Sequence, residues 1–368
     1  MRKSTLAIAI AAAIAIPMTA QADTTLYGQA HMSLDYQDSD AGDGFDLLSN
    51  SSRIGVKGSH KLSDSLSAVY QMEWAVSMDG ESGDMGQRNR VAGLKGGFGT
   101  VLFGRHDTPV KTLGNAVSED WGSTQIGGAR QIRSSGDGGL SWDQRLDNVI
   151  AYISPSFGPA SVFLAYSPDV LSEGDNEFVD PAPGGAEEVS ATSILLNLGD
   201  KKKYYLGIGW EQHEFSALNS AAAPEDASVI RVGGIANFGP IRLHGLYQMA
   251  TDQAGVSGRD RDVYGLGASF KSGANKFKAQ WYTRDDLDVP GGNDTGSDLF
   301  MIGWDHNIAK STDVYLQYAQ ISNDNGGFST LSGNGHSDGP NDVASAVNPT
   351  TGNGSDIDGL SAGLRIKF

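Results

Sequence analysis

The chain contains one pattern that resembles a catalytic nucleophile. Gly359-Leu360-Ser361-Ala362-Gly363 spells the elbow that presents a serine for acyl transfer. Such an elbow needs a helix after the serine and an acid and a histidine further along, but five residues follow Gly363. Apolar and polar residues alternate through the pattern, which indicates a strand. We therefore predict that the chain has no catalytic residue and is not an enzyme.

Metal chemistry is not indicated either. The chain has no cysteine, which excludes thiolate metal sites and disulfides. Its seven histidines show no ligand spacing of the His-x-x-x-His kind. Residues 291–296 resemble one fragment of a calcium-binding repeat without the tandem array, so they predict a loop, and calcium binding by such loops is left open. We expect neither a resident metal nor another cofactor.

The overall charge argues against one class of partner. The chain has 368 residues, with 27 basic and 44 acidic side chains, and its net charge is −17. Nucleic-acid binding relies on many lysines and arginines that neutralise phosphates, so we expect no nucleic-acid partner. Hydrophobic residues make up 39% of the chain and 49 residues are glycine, which is compatible with a folded protein rich in turns.

The N-terminal segment differs from the rest of the chain. Basic residues near the start precede an unbroken apolar run over 6–16, and residues 20–22 match a small-x-small cleavage pattern. The run is too short for a membrane-spanning helix, which needs about 20 residues, and it lacks the polar face of an amphipathic helix. We predict that residues 1–22 are a removable secretory signal and that residues 23–368 form the mature domain.

The mature chain alternates apolar and polar residues with a period of two, in one segment after another. In one such segment Leu66, Tyr70 and Trp74 share a face, opposite Gln71 and Glu73. Clusters of Gly, Asn, Asp, Ser and Pro separate the segments. About sixteen strands are predicted, at 24–36, 51–60, 64–77, 87–95, 98–106, 145–154, 160–167, 189–198, 203–214, 228–238, 240–251, 261–271, 275–285, 298–308, 312–322 and 357–368. The fold class is therefore all-β.

Short and long connections largely alternate between these strands. The long ones lie at 37–50, 107–143, 169–188, 215–227, 252–260, 286–297 and 323–356. This asymmetry is typical of an outer-membrane barrel with short periplasmic turns and long external loops. In lipid every backbone polar group needs a partner, so a sheet must close on itself and turn its apolar face outward. A soluble sandwich also alternates, but the charged polar face and the aromatic residues near strand ends favour a transmembrane antiparallel β-barrel.

Several blocks of the sequence resemble a known family. They are residues 26–29 (LYGQ), 52–58 (SRIGVKG), 93–105 (GLKGGFGTVLFGR) and 360–368 (LSAGLRIKF). With the signal and the strand count, they resemble the Gram-negative general diffusion porins over the whole mature chain. The resemblance implies a homotrimer of 16-stranded barrels in the outer membrane, each with its third loop folded into a water-filled pore. It also implies that outer-membrane assembly machinery reads the last strand, which ends in Phe368.

The resemblance further implies a constriction in which arginines of the barrel wall face carboxylates of the inward loop. The basic candidates are Arg53, Arg105, Arg145, Arg90 and Arg88. Residues 107–143 are the third-loop candidate, although they lack the loop-tip motif of the family. The acidic candidates are Glu119, Asp120 and Asp107. The alternative is that these arginines only pair with carboxylates on a wet barrel wall.

The expected function is passive diffusion of small hydrophilic solutes and ions across the outer membrane, with contacts to outer-membrane lipid and lipopolysaccharide. A substrate-selective outer-membrane channel, an outer-membrane enzyme, and a secreted soluble β-protein such as an adhesin are the alternatives. The acidic residues concentrate in the long connections and favour cations, whereas the arginine wall opposes this. The sequence leaves the sign of ion selectivity open and favours cations slightly.

Overall fold

The computed structural model consists mainly of antiparallel strands. It describes residues 22–39, 42–80, 85–118, 121, 126, 128–134, 141–170, 189–215, 225–289, 294–327, 329, 331 and 356–368. The strands are β1 (Ala22–Ser39), β2 (Gly42–Ser49), β3 (Arg53–Lys61), β4 (Leu66–Ala75), β5 (Gln87–Gly96), β6 (Gly99–Asp107), β7 (Arg145–Ile153), β8 (Ala160–Ser167), β9 (Val189–Gly199), β10 (Tyr204–Phe215), β11 (Ala227–Phe238), β12 (Ile241–Thr251), β13 (Arg261–Ser272), β14 (Asn275–Arg284), β15 (Ser297–Ala309), β16 (Thr312–Asn323) and β17 (Ile357–Lys367). The helices are α1 (Pro109–Val117), α2 (Arg130–Ser134) and the 3₁₀ turn η1 (Gln253–Gly255). Within the described residues, no helix is long and apolar enough to span a bilayer.

The sheet closes on itself. From β3 onward each strand pairs antiparallel with the next along the chain, and β17 pairs with β1. β2 and β3 follow one another along the same edge of β1, so together they occupy one position in the barrel. The seventeen described strands therefore form a sixteen-stranded barrel, which confirms the predicted fold class.

A β-bulge joins β2 to β3. Met32 lies opposite Ser49 and Gln29 lies opposite Arg53, so the three residues at 50–52 face only two residues of β1. Ser51, inside the bulge, has a φ of 52°, in the left-handed region. An extra residue of this kind interrupts the pairing for one step and increases the local twist. Because of the bulge, β2 and β3 together occupy one strand position of the barrel.

The sequence prediction was wrong for β2. Residues 37–50 were predicted as a loop because glycine and aspartate are typical of turns. The structure instead extends β1 to 18 residues and pairs its second half with β2. Phe45 and Leu47 are exposed on the same face of this strand pair as Leu34. A long neighbouring strand that offers free backbone groups overrides the local turn preference.

The two faces of the barrel wall have opposite chemistry. On β1, Leu26 and Leu34 are exposed on the outer face, whereas Gln29, His31 and Asp35 are buried on the inner face. The same division recurs around the barrel, where exposed apolar side chains form the outer surface. These include Phe103, Ile150, Leu164, Ile208, Leu266, Phe300, Leu316 and Leu360. An apolar exterior around a polar interior is the arrangement required of a barrel in lipid.

The connection between β6 and β7 folds into the barrel and begins with α1. Thr108 caps the helix, because its Oγ1 accepts a hydrogen bond from the backbone N–H of Lys111 at 3.1 Å. Pro109 occupies the first helical position, where its fixed φ suits the helix. Val110, Leu113 and Val117 are fully buried. The predicted inward fold of the third loop is therefore confirmed. The predicted signal, except Ala22, lies outside the described residues.

Candidate functional site

Three glycines on the inner wall form a seat for α1. A side chain at Gly207 would collide with Leu113, and one at Gly233 would come within 2.7 Å of Val117. At Gly209 the first side-chain carbon would lie 3.2 Å from Val110. We call Gly207, Gly209 and Gly233 the glycine seat. Without side chains, β10 and β11 let an apolar helix face approach the backbone of the wall, where other strands present polar side chains.

We call the connection between β6 and β7 the inserted segment. A buried ion triad holds the end of this segment that precedes β7 against the same wall. The carboxylate of Asp143 accepts hydrogen bonds from Arg133 Nε and from Arg231 Nη1, both at 2.9 Å. All three side chains are at most 1% exposed. Arg231 also donates to the carbonyl of Val110 on α1 at 2.9 Å. Burial alone would raise the pKa of Asp143, but the guanidiniums of Arg133, Arg231 and Arg130 lower it to about 2.

Other contacts bind the inserted segment to strands further around the inner wall. The ammonium of Lys278 lies 4.6 Å from the centre of the Trp121 ring, in cation–π geometry. The side chain of Gln317 on β16 donates to the carbonyl of Ile126 at 3.0 Å. The segment therefore lines the inner wall from β9 to β16. The strands near β3 to β7 are left to face the remaining space.

On that wall, two arginines converge on one carboxylate. Arg88 on β5 is ion-paired with Glu73 on β4, and Arg53 Nε lies 3.8 Å from the second oxygen of Glu73. The hydroxyl of Tyr27 donates to Glu73 at 3.0 Å and accepts from Gln71 at 2.7 Å. The side chain of Arg53 is 27% exposed and that of Arg88 is 16% exposed, so both remain accessible to solvent.

A second carboxylate lies where β6 ends. Asp107 is ion-paired with Lys111, whose Nζ lies 2.9 Å from the carboxylate, and with Arg145, whose Nε lies 3.1 Å from it. Asn89 holds the same group in place, since its amide donates to Asp107 at 3.1 Å and its oxygen accepts from Arg145 at 3.1 Å. Burial lowers the pKa of Lys111 to about 7, helped by the charges of Arg145 and Arg130 and opposed by Asp107.

Together these side chains form what we call the basic cluster: Arg53, Arg88, Arg145 and Lys111, with Glu73 and Asp107. Three permanently charged guanidiniums and a lysine thus face two carboxylates. The positive charges of Arg88 and Arg145 repel each other, so the group around Glu73 and the group around Asp107 are electrostatically coupled. Such an excess of positive charge attracts small anions from water.

The structure brings four of the predicted site residues together: Arg53, Arg88, Arg145 and Asp107. It does not bring Arg90 and Arg105 to them. In the register of β4 to β6, Arg90 pairs with Met72 and with Arg105, and Met72 belongs to the exposed outer row. Arg105 is ion-paired with Asp147, and Arg90 lies over the Trp74 ring at 5.3 Å. The predicted acidic residues Glu119 and Asp120 lie outside the described residues.

Two members of the basic cluster were missed by sequence reasoning. Glu73 lies on the polar face of a predicted strand, two residues after Gln71, and no motif distinguishes it. Lys111 follows the Thr-Pro pair that starts α1, four residues after Asp107. A capping threonine followed by proline is a helix start signal that could have placed Lys111 one turn above the aspartate.

Ser361 of the elbow-like pattern lies inside β17, as predicted. It is 1% exposed and its hydroxyl donates to Asp35 on the neighbouring β1. The chain continues as a strand, so the sharp turn of a nucleophile elbow is not formed. At the end of this strand the backbone N–H of Phe368 donates to the carbonyl of Gly28 at 3.1 Å, and the N–H of Gly28 returns a bond of 2.9 Å.

Comparison with known sequences agrees with this geometry. The sequence profile of the Gram-negative porin family matches residues 7–326, and the chain belongs to that family. One relative is the outer membrane porin protein 32 of Delftia acidovorans, 29% identical over 338 residues, which cover 88% of this chain and 90% of the relative. Family and closed barrel together identify an outer-membrane diffusion channel of Gram-negative bacteria.

Solved structures share the fold. An anion-selective porin from Comamonas acidovorans superposes with a TM-score of 0.75 at 22% identity, over 95% of this chain and 100% of that chain. OmpT of Vibrio cholerae, in a trimer form, superposes with a TM-score of 0.64 at 19% identity, over 94% of this chain and 99% of that chain. At these identities the likeness concerns the barrel fold alone.

Proposed function

We propose that small hydrophilic solutes and ions cross this channel past a constriction between the basic cluster and the inserted segment. The observation that carries the proposal is the excess of arginine over carboxylate on the part of the wall that the inserted segment leaves open, with Lys111 of α1 beside it. Solutes that pass there exchange part of their hydration shell for fixed charges. Apolar solutes gain nothing from such charges and are disfavoured.

The constriction prefers anions. The sequence favoured cations slightly because the acidic loops carry most of the negative charge. Any charge in bulk solvent, however, is screened beyond a Debye length of about 8 Å at physiological salt. The basic cluster acts inside a narrow passage with low-dielectric walls, where the same charge has a stronger effect. An anion-selective porin from Comamonas acidovorans has the same fold, so the fold is compatible with this sign.

The remaining expectations extend the same proposal. The protein assembles as a homotrimer, supported by the trimer form of an outer membrane protein with the same fold. Phe368, paired with Gly28 where the barrel closes, serves as the signal for assembly into the outer membrane. Outer-membrane lipid and lipopolysaccharide contact the apolar exterior. We assign no catalytic activity, because transport through a polar bore needs no bond to be made or broken.

The test is a reversal-potential measurement. Protein extracted in detergent is reconstituted into planar bilayers and the zero-current potential is recorded across a KCl gradient. We expect discrete open channels and a potential of the sign that reports chloride preference. Open channels with clear potassium preference would overturn the anion constriction, and a failure to form channels would overturn the diffusion function. The solute class is checked by the swelling of liposomes in small sugars.

A further inference from the structure

Two arginines lie on the outer face of the barrel wall. Arg90 on β5 lies opposite Met72 on β4 and opposite Arg105 on β6, and residues directly opposed in a sheet share a face. Met72 is 42% exposed on the outer face, and Phe103, two residues before Arg105, is 52% exposed there. Both arginines therefore lie on the face that the barrel turns to its surroundings, and not on the face of the bore.

The depth of these arginines is that of the apolar band. Arg90 lies six residues before Gly96, and Arg105 lies six residues after Gly99, where the hairpin turns. A strand tilted at about 40° rises roughly 2.5 Å per residue along the barrel axis, which puts both arginines about 15 Å from the turn. Two apolar rows lie between them and the turn, Ala92 with Phe103 and Leu94 with Val101. In an apolar band about 25 Å tall, the arginines lie near the middle.

Three other strands carry charge on the outer face only at its far edge. On β10, β13 and β17, the first charged side chain of the outer face lies nine or ten residues from the short-turn end of the strand, and these side chains are Glu214, Asp262 and Asp358. At roughly 2.5 Å per residue they lie about 23–25 Å from that end, where the apolar band stops. The face over β5 and β6 differs from these strands in carrying charge at the middle of the band.

A third charged group belongs to the same patch. Arg105 is ion-paired with Asp147 on β7, and the two side chains remain 23% and 25% exposed. The guanidinium of Arg90 lies 5.3 Å from the centre of the Trp74 ring. We call Arg90, Arg105 and Asp147 the arginine patch. Hydrocarbon offers these groups no hydrogen bonds, and arginine on the lipid face is most costly near the bilayer midplane, so the patch suits contact with protein better than contact with lipid.

The outer face also carries a patch of opposite charge. Near the end of β1, Asp38 lies opposite Asp43 on β2 and opposite Asp358 on β17. These aspartates continue the outer rows of Leu34 and Leu360, which are both exposed. We call Asp38, Asp43 and Asp358 the aspartate patch. Like charges directly opposite one another repel, so a cation brought by a partner would stabilise this patch.

Two tyrosines hold this patch without neutralising it. The hydroxyl of Tyr36 donates to Asp43 at 3.3 Å, and the hydroxyl of Tyr318 donates to Asp358. A neutral donor leaves the carboxylate its charge, so its attraction to a guanidinium remains. Asp358 lies nine residues from the end of β17, which is three residues nearer the loops than the arginines are, or about 8 Å along the barrel axis. Arginine side chains that extend toward the loops cover this difference.

We propose that the arginine patch of one copy of this chain packs against the aspartate patch of the next, and that three such contacts close the trimer. The two patches lie on either side of β4, so each barrel presents one patch to each of its two neighbours. Contacts between different surfaces of identical chains generate a closed ring when the rotation fits. The proposal deepens the homotrimer of the proposed function and rests on it.

The first test is Arg90→Leu with Arg105→Leu. Purified trimers are heated in detergent, and the temperature at which they dissociate into folded monomers is read on gels. We expect this temperature to fall by about 5–10 °C, because the contacts with the aspartate patch are lost. If the face met lipid, the same change would remove costly charge and leave the temperature unchanged or higher.

The matched control is Glu214→Leu with Asp262→Leu. It also removes two charges from the outer face, but on β10 and β13, away from both patches. We expect the dissociation temperature of this variant to equal that of the wild type. An equal fall in both variants would show a general effect of surface charge and would overturn the interface.

The second test is crosslinking, for which the chain is well suited because it has no cysteine. Phe103→Cys and Leu360→Cys place one thiol beside each patch. In membranes treated with a lipid-permeable bismaleimide, the double variant should form covalent species of up to three copies. Each single variant should not, because identical residues of neighbouring copies lie apart in such a ring. Crosslinks equal in the single and double variants, or their absence in the double variant, would overturn the arrangement.

The outcomes distinguish this interface from the function on which it rests. Wild-type protein that runs only as a folded monomer would reject the homotrimer itself. Trimers that show neither the fall in temperature nor the crosslinks would reject only the contact between the two patches. In either case the conductance in planar bilayers reports the channel function separately.

Discussion

Two parts of the inner wall use arginine in opposite ways. On the β9–β12 side, Arg231 and Arg133 are at most 1% exposed and surround Asp143, which is fully buried. On the β3–β7 side, Arg53 and Arg145 are 27% and 18% exposed and belong to the basic cluster. The first arrangement holds the inserted segment against the wall. The second leaves charge for the solvent in the bore.

The difference shows that burial separates a structural arginine from one that acts on solutes, because both groups hold two cations for each carboxylate. A buried guanidinium needs a carboxylate or several carbonyls, because an unpaired charge away from water is costly. A partly exposed guanidinium keeps part of its hydration and tolerates an excess of like charge. Removal of a partner should therefore damage the fold on the β9–β12 side and change ion flow on the β3–β7 side.

The largest effect is expected from Asp143→Asn. Loss of its charge leaves Arg133 and Arg231 buried side by side, which should cost about 3–5 kcal/mol. We expect α1 and α2 to leave the wall and the temperature at which the barrel unfolds on gels to fall. The control is Asp147→Asn, which disrupts the partly exposed pair with Arg105 and should change that temperature little. Equal effects of the two variants would contradict the distinction.

The next largest effect is expected from Gly233→Val. The new side chain would occupy the space of Val117 and push α1 away from the glycine seat, at a cost of about 1–3 kcal/mol. Because α1 moves into the bore, single-channel conductance should fall. Gly234→Val is the matched control, since the nearest atom to a side chain there is 3.6 Å away. A conductance unchanged in Gly233→Val would show that the seat does not position the helix.

The basic cluster should respond in ion flow with little loss of stability. Arg53→Ala, Arg88→Ala and Arg145→Ala each remove one positive charge and a long side chain. We expect a larger conductance and a reversal potential shifted toward cations in each variant, measured in planar bilayers. Arg105→Ala is the control, because Arg105 pairs with Asp147 away from the cluster. If Arg105→Ala shifts the potential as much as the other three, the cluster does not set selectivity.

The smallest effect is expected from pH. Lys111 has a pKa lowered to about 7, so it is charged below that value and neutral above it. Anion preference should therefore decrease as the pH rises from about 6 to about 8, by the effect of one charge in the cluster. Lys111→Met should remove this step, since methionine keeps the length of the side chain without its charge. A step that persists in Lys111→Met would belong to another group.

Much of the barrel could be predicted from local sequence. The alternation over 64–77 and 357–368 predicted β4 and β17 to within two residues, because one wet face and one apolar face impose a period of two. β2 could not be predicted in this way, since its pairing depends on the length of β1. The candidate site was predicted only in part, because Arg105 and Arg53 look alike as basic residues at strand ends.

Bulges explain why the site was harder to predict than the fold. Between β6 and β7 the register shifts after Gly104, and Asn148 on the partner strand has a φ of 54°. One extra residue changes which side chains face inward beyond it. In this region Asp107 and Arg145 meet inside the barrel, whereas Arg105 pairs with Asp147. No pattern in the sequence marks that shift.

The resemblance to a family implied the inward third loop. By itself, the sequence determined the all-β class, the positions of most strands and the concentration of acidic residues in the long connections. These features follow from side-chain chemistry along neighbouring residues. Only the tertiary structure decided which arginines lie in the basic cluster, which glycines seat α1, and that Arg105 pairs with Asp147 on the outer face. Those contacts join residues distant in the chain, and a one-residue change in register is enough to make or abolish them.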